Sequence, residues 1–310
     1  MAAIAVAVLA SVVAGCGLGA GPQASDTQLL VSKDFGAEPL VQTDKPKTGG
    51  SDTVMRLLQR NAPKVTTRFG GGFVQSIAGV SGGTSGGKPV DWFFYVNGIQ
   101  ADKGATSVKV HQGDRVWWDH HDWGVTDDVP AVVGSFPEPF LHGIDGRRLP
   151  TRVECVEPQS DACQAVADKL GDLGQVAARG GVGNSFVVDT LRILVGQWKA
   201  LRGESTAKLL EKGPATSGVF AKPSADGRSI ALLDQDGKVT RTLGPGTGLI
   251  AATKVKDSKD QVSDPVWILT GTDEAGVLAA TAALDEGALN GHFAVAISGG
   301  KPIGLPDRGQ

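Results

Sequence analysis

The chain contains only three cysteines, two methionines and one tyrosine in 310 residues. Cys155 and Cys163 have no further cysteines, and no histidine at finger spacing, with which to complete a zinc site. There is no excess of basic residues. Thirty Lys and Arg against 33 Asp and Glu leave a net charge of -3, so no overall basic field marks a nucleic-acid or acidic-membrane binder. The longest apolar stretch, residues 2–15, is shorter than the ~20 residues that cross a bilayer. A 41% apolar content excludes a disordered chain, and 16 prolines among 44 glycines without a period exclude collagen. Glycine at about twice its ordinary usage points to many turns and wide loops. The length exceeds what one hydrophobic core usually serves, so two domains are expected.

The apolar stretch has the length of a signal-peptide core, and no charged residue appears before Asp26. It ends in Val13-Ala14-Gly15-Cys16, which resembles a bacterial lipobox, in which the cysteine thiol takes a diacylglycerol before cleavage. Against that pattern, no Lys or Arg precedes the run. The expectation is a chain lipidated at Cys16, anchored at the cell membrane on its extracytoplasmic face, with a tether to residue 25. Cysteine parity agrees: with Cys16 modified, Cys155 and Cys163 remain as a pair in an exported chain, and a disulfide is expected between them.

Residues 26–128 read as a small β-rich domain, 129–150 as a linker punctuated by Pro130, Pro137 and Pro139, and 151–305 as an α/β domain. In the first domain, strands are expected over 28–32, 64–69, 73–80, 91–96, 107–111 and 115–123. A loop spans 39–50, and one helix spans 52–61, capped by Ser51 or Asp52. In the second, strands over 152–156, 190–195, 265–270 and 292–297 alternate with helices over 160–170, 204–210 and 272–284. A hairpin turns at Asp236-Gly237. The fold class is α+β, a β-grasp-like domain followed by an α/β layered one.

The densest feature is Trp92-Phe93-Phe94-Tyr95-Val96-Asn97-Gly98. Both of its alternating faces are apolar, as in a central strand, and Asn-Gly favours a type I′ hairpin turn. Gly104 and then Gly113-Asp114-Arg115-Val116-Trp117-Trp118 follow. This succession resembles the transcobalamin C-terminal-like domain family, a small β-rich module of vertebrate cobalamin carriers and bacterial surface proteins. The resemblance runs over roughly residues 28–123 and implies a structural role for Asn97, Gly98, Gly113 and Asp114 in turns and for Trp92 and Trp118 in the core. It also implies a corrinoid as one possible ligand. The chain departs from the pattern at Asp119-His120-His121-Asp122.

Strand parity divides the last segment. Val116, Trp118, His120 and Asp122 share one side, and Trp117, Asp119, His121 and Trp123 the other. Two indoles flanking a carboxylate and an imidazole form either a ligand-contacting face, with Tyr95 beside it, or a contact covered by the second domain. Adjacent His120 and His121 point to opposite faces, so a shared metal is not expected there. The Gly-x-Ser-x-Gly runs at 79–87 lie in a glycine tract without the strand–turn–helix context of a nucleophile elbow, and residues 181–186 and 244–248 lack dinucleotide and phosphate-loop patterns. No catalytic constellation emerges. Beyond the strand ends, Gln197 and Trp198, and Thr270, Thr272 and Asp273, occupy positions where α/β sheets bind ligands, although capping accounts for Thr272 and Asp273 equally well. The function expected is extracytoplasmic capture of a small molecule for a membrane permease. The alternative is docking of an envelope partner or glycan through the Trp117/Trp123 face.

Overall fold

A computed structural model describes residues 23–183, 189–254 and 264–309. Cys16 and the apolar leader lie outside these residues. Two sheets dominate, each with its own helices.

The first sheet is ordered Glu38–Thr43, Gln28–Lys33, Arg115–Asp122, Lys88–Val96, Gly83–Ser85, with Ile99–Gln100 paired to Lys88–Val96. The two middle strands, Gln28–Lys33 and Arg115–Asp122, run parallel and their outer neighbours antiparallel. With one helix across one face, this is the β-grasp order. That helix, Val54–Asn61, buries Val54, Met55, Leu57 and Leu58 against Leu29, Val31, Val116 and Trp118. Its spacing gives the apolar stripe, and the Pro63 ring ends it. The cap is Thr53, one residue later than expected, because Asp52 instead accepts the Gly49 amide at 2.6 Å and pairs with Arg60. The Asn97-Gly98 turn has φ of 54° and 78°, the doubly positive geometry of the expected hairpin.

Two expectations fail here. The loop over 39–50 begins as an edge strand, which tolerates Pro39 because an edge leaves one amide row unpaired. Residues 107–111 contribute only an isolated bridge, Thr53 with Lys109, so this stretch borders the helix start and joins no sheet.

The second sheet is ordered Ala177–Gly181, Thr151–Cys155, Leu191–Gln197, Val266–Gly271, Gly248–Thr253, Ala294–Ser298, Lys301–Leu305. Its first four strands are parallel, with the helix Asp161–Asp172 connecting Thr151–Cys155 to Ala177–Gly181, and the rest antiparallel. Both faces are apolar, as a sheet covered on both sides requires. Val153, Ile193, Ile250, Trp267 and Val295 face the helices Asp161–Asp172 and Glu274–Ala282. Leu194, Leu249, Ala251, Ile268 and Ala296 face a small sheet of Ala221–Pro223, Ile230–Leu233 and Val239–Leu243, together with Trp198 and Leu201.

The segment 129–150, expected as a linker, is part of the core. Val129 and Val132 join one hydrophobic cluster, and Ala131, Val133, Phe136, Phe140 and Leu149 the other. Its prolines break periodicity without exposing the chain, because proline interrupts a pattern in a buried segment as readily as in a solvated one.

Candidate ligand cleft

The expected ligand face is closed. Tyr95, Trp117, Asp119 and His121 are each at most 2% exposed. The strand parity itself is as expected, with Trp118 in one core cluster and Trp117 in another. What covers the second face is the α/β unit. Phe293 stands edge-on to Trp117, Tyr95, His121 and Phe35, with ring centroids 5.1 to 5.6 Å away. His121 lies between the Phe35 and Phe93 rings, stacked at 4.4 and 4.5 Å. A Cβ on Gly36 would fall 1.9 Å from the Gly291 carbonyl oxygen, so the two units approach closer there than any other residue permits.

Apart from the Tyr95 hydroxyl, which is buried without a hydrogen-bond partner among the described residues, the polar groups of Ser32, Trp117, Asp119 and His121 satisfy one another. Asp119 accepts the Ser32 hydroxyl at 2.5 Å and the Phe35 and Gly36 amides at 3.0 and 2.8 Å, and its carboxylate meets His121 Nδ1 at 2.8 Å. The Trp117 indole donates to Ser32 Oγ at 2.7 Å. The carboxylate and imidazole therefore fasten the 34–36 turn to the sheet. Burial, reinforced by the Asp119 charge, pushes the Tyr95 phenol well above its ordinary value. Of the expected ligand residues only Trp123, 40% exposed, keeps open surface.

The other histidines scatter. His120 Nε2 meets the Ser81 carbonyl oxygen at 3.1 Å on the far face, and burial holds its pKa below the usual value. His111 pairs with Asp114, and His142 with Glu138. Among the described residues, no three His, Cys, Asp or Glu converge as a metal site.

Open concavities lie elsewhere, and the one with mostly apolar walls sits at the carboxyl ends of the parallel strands. It has a volume of about 400 Å³ and lies between the turn after Thr151–Cys155, the end of Leu191–Gln197 and the first turn of Glu274–Ala282. Its walls are Val156, Val195, Val277 and Leu278, and its polar groups are Glu157, Ser160, Gln197, Lys199 and Glu274. In open α/β sheets this edge is where ligands bind, because the loops there are free to diverge.

The sequence builds this cleft locally. Cys155 ends a strand and Cys163 lies in the first turn of the helix. Their disulfide clamps the intervening turn that forms one wall. Ser160 caps that helix by accepting the Cys163 amide at 3.3 Å. Gly196 lets the floor close, since a Cβ there would meet Val156 at 2.5 Å. Thr270 is spent on the floor as well, donating to the Gly196 carbonyl at 2.8 Å. Asp273 caps its helix through the Gly276 amide and also accepts the Gly246 amide, and Thr272 donates to the Gly244 carbonyl. Gln197 lines the cleft as the strand-end rule predicts. Trp198, also expected beyond the strand, is fully buried beneath it. The wall residues Glu157, Lys199, Leu278 and Glu274 carry no motif, and only the strand–turn–helix order around them signalled the cleft.

Residues 51–122 match a domain of unknown function, DUF4430. The match covers about a quarter of the chain, within the β-grasp unit, and includes Trp92 to Trp118. The DUF4430 segment has no assigned activity, and no curated protein matches the chain. The cleft lies wholly outside that segment.

Proposed function

We propose that this protein is an extracytoplasmic binding protein that holds a small molecule in the cleft above the parallel strands. The carrying observation is that open cavity of about 400 Å³ at the carboxyl edge of the sheet, with apolar walls and a few polar groups. The Cys155–Cys163 disulfide supports an oxidising compartment. The lipobox-like Val13-Ala14-Gly15-Cys16 supports a lipid anchor at the membrane, and a permease as the recipient of the ligand. The DUF4430 match is consistent with the transcobalamin-like resemblance of the first unit. A corrin macrocycle with its nucleotide arm is much larger than the cleft, so the ligand proposed is smaller than a whole corrinoid. The alternative, docking through the Trp117/Trp123 face, has less support, because Trp117 is buried and Trp123 alone keeps open surface.

A thermal-shift screen of amino acids, sugars, nucleosides and cobalamin tests the proposal. The expected result is a shift from a small compound that Leu278→Arg abolishes, since Leu278 is 39% exposed at the cleft and an arginine there fills it without disturbing the core. A shift that Leu278→Arg leaves intact would place binding elsewhere. A screen in which only cobalamin registers would reject the small ligand.

A further inference from the structure

The net charge of -3 hides a local asymmetry. From Val54 to Phe73 the chain carries Arg56, Arg60, Lys64 and Arg68 and no Asp or Glu. Arg60 is paired with Asp52, but Arg56, Lys64 and Arg68 are exposed and hold no carboxylate in an ion pair among the described residues. Burial raises the pKa of Asp91, and the Arg68 charge only partly opposes it.

This basic stretch ends in a hairpin between Thr66–Arg68 and Phe73–Ile77, whose turn is Phe69-Gly70-Gly71-Gly72. Phe69 is 87% exposed, the most exposed aromatic side chain described, and Phe73 beside it is 38% exposed, their ring centroids 6.3 Å apart. Phe69 also has φ of 52°, a conformation that is strained for a bulky residue and persists only where the surroundings impose it. Phenylalanine is an unfavourable choice for such a tip in water. Gly70 and Gly71 leave the surrounding space open, with no atom near where their Cβ would be.

We infer that the Phe69–Phe73 tip is a membrane-contact loop that inserts its two rings into an anionic lipid surface while Lys64 and Arg68 meet the headgroups. Charge complementarity selects the occupant. Aromatic rings beside unpaired cations suit the interface of an anionic bilayer, where rings sit at the acyl boundary and each cation adds attraction. Placement agrees. Gly72 lies against Gly104, Ala105 accepts the Met55 amide, and Gln23 bridges to Gly50 just before the helix, so Gln23, the first described residue, lies near the same helix start that the tip flanks. The inference requires neither lipidation of Cys16 nor occupancy of the cleft.

Co-sedimentation with vesicles tests it, using the chain from Gln23 onward, which contains every described element and lacks both leader and Cys16. The expected result is binding to vesicles containing phosphatidylglycerol, little to phosphatidylcholine alone, and weakening with salt. Phe69→Ser with Phe73→Ser lowers the partition coefficient by about tenfold or more, as the loss of two inserted rings implies. Lys64→Glu with Arg68→Glu lowers it comparably, and provides the second variant should the first fail to fold, with unchanged thermal midpoints verifying each. Binding that survives the phenylalanine pair, or no binding to phosphatidylglycerol vesicles, overturns the inference. So does a concentration-dependent dimer, seen by sedimentation velocity without lipid, that Phe69→Ser with Phe73→Ser dissolves. Because the probe is lipid and the cleft is untouched, this result stands or falls separately from the ligand screen.

Discussion

Phe293 is the side chain on which the contact between the two units turns, since it touches Phe35, Tyr95, Trp117 and His121. Removing it opens a cavity lined by those four rings. Phe293→Ala is therefore expected to cost about 3–5 kcal/mol in urea unfolding. Asp119 carries the polar half of the same contact. Asp119→Ala strands the Phe35 and Gly36 amides and the Ser32 hydroxyl in a dry interior, at a further expected cost of about 2–3 kcal/mol. Asp307 gives a pH test. Its carboxylate accepts from Arg241 Nε at 2.7 Å and from Thr240, and the Arg241 interaction foremost lowers its pKa from 3.8 to about 2. The folded pKa is depressed, so the stabilisation is fully present above pH ~4 and is lost as pH falls through about 2; about 2 kcal/mol should disappear across that window. Comparing urea midpoints of the wild type and Asp307→Asn at neutral and acid pH measures it, and equal pH dependence would refute the assignment. At this scale the sequence was informative about direction and silent about cover. Period-two alternation sorted Trp117, Asp119 and His121 onto one side correctly, but nothing in a strand's own residues says whether its outer side meets water or Phe293.

At the scale of elements, the disulfide does two jobs. Closing a loop of eight positions stabilises by about 2–3 kcal/mol through the unfolded chain, and it holds the strand–helix turn that walls the cleft. Cys155→Ser with Cys163→Ser should lower stability by that amount and also weaken any ligand found by screening. A loss of stability with unchanged affinity would separate the bridge from the cleft. Elements whose signal is local were legible, including the helix Asp161–Asp172 with its Ser160 cap, the Asn97-Gly98 turn and the Val266–Gly271 strand. Elements whose existence depends on the sheet around them were not. Glu38–Thr43 is a strand because Gln28–Lys33 lies beside it, and 107–111 is not one because the sheet already has its neighbours.

Across the whole molecule, the two units share a core. One hydrophobic cluster contains Phe35, Tyr95 and Trp117 from the first and Leu194, Phe220 and Phe293 from the second, and residues 129–149 thread between the cores. The described chain should accordingly unfold in one transition, with near- and far-ultraviolet dichroism coincident. Two separated transitions would show that the contact is weaker than its burial implies. The composition expected two domains but not their fusion, because proline-rich punctuation looks the same whether a segment is solvated or sandwiched. Shared burial also closes the Tyr95, Trp117, Asp119 and His121 face to solvent. With the aromatic face sealed, the cleft at the carboxyl edge of the second sheet is the concavity with apolar walls proposed to take a small molecule. Hydrogen exchange of the protein with and without a compound from the screen tests this most directly. The account predicts new protection confined to the turn at 156–160, the strand end at 196–200 and the helix start at 274–278. Protection centred instead on 93–95 and 117–123, with those three segments unchanged, would contradict it.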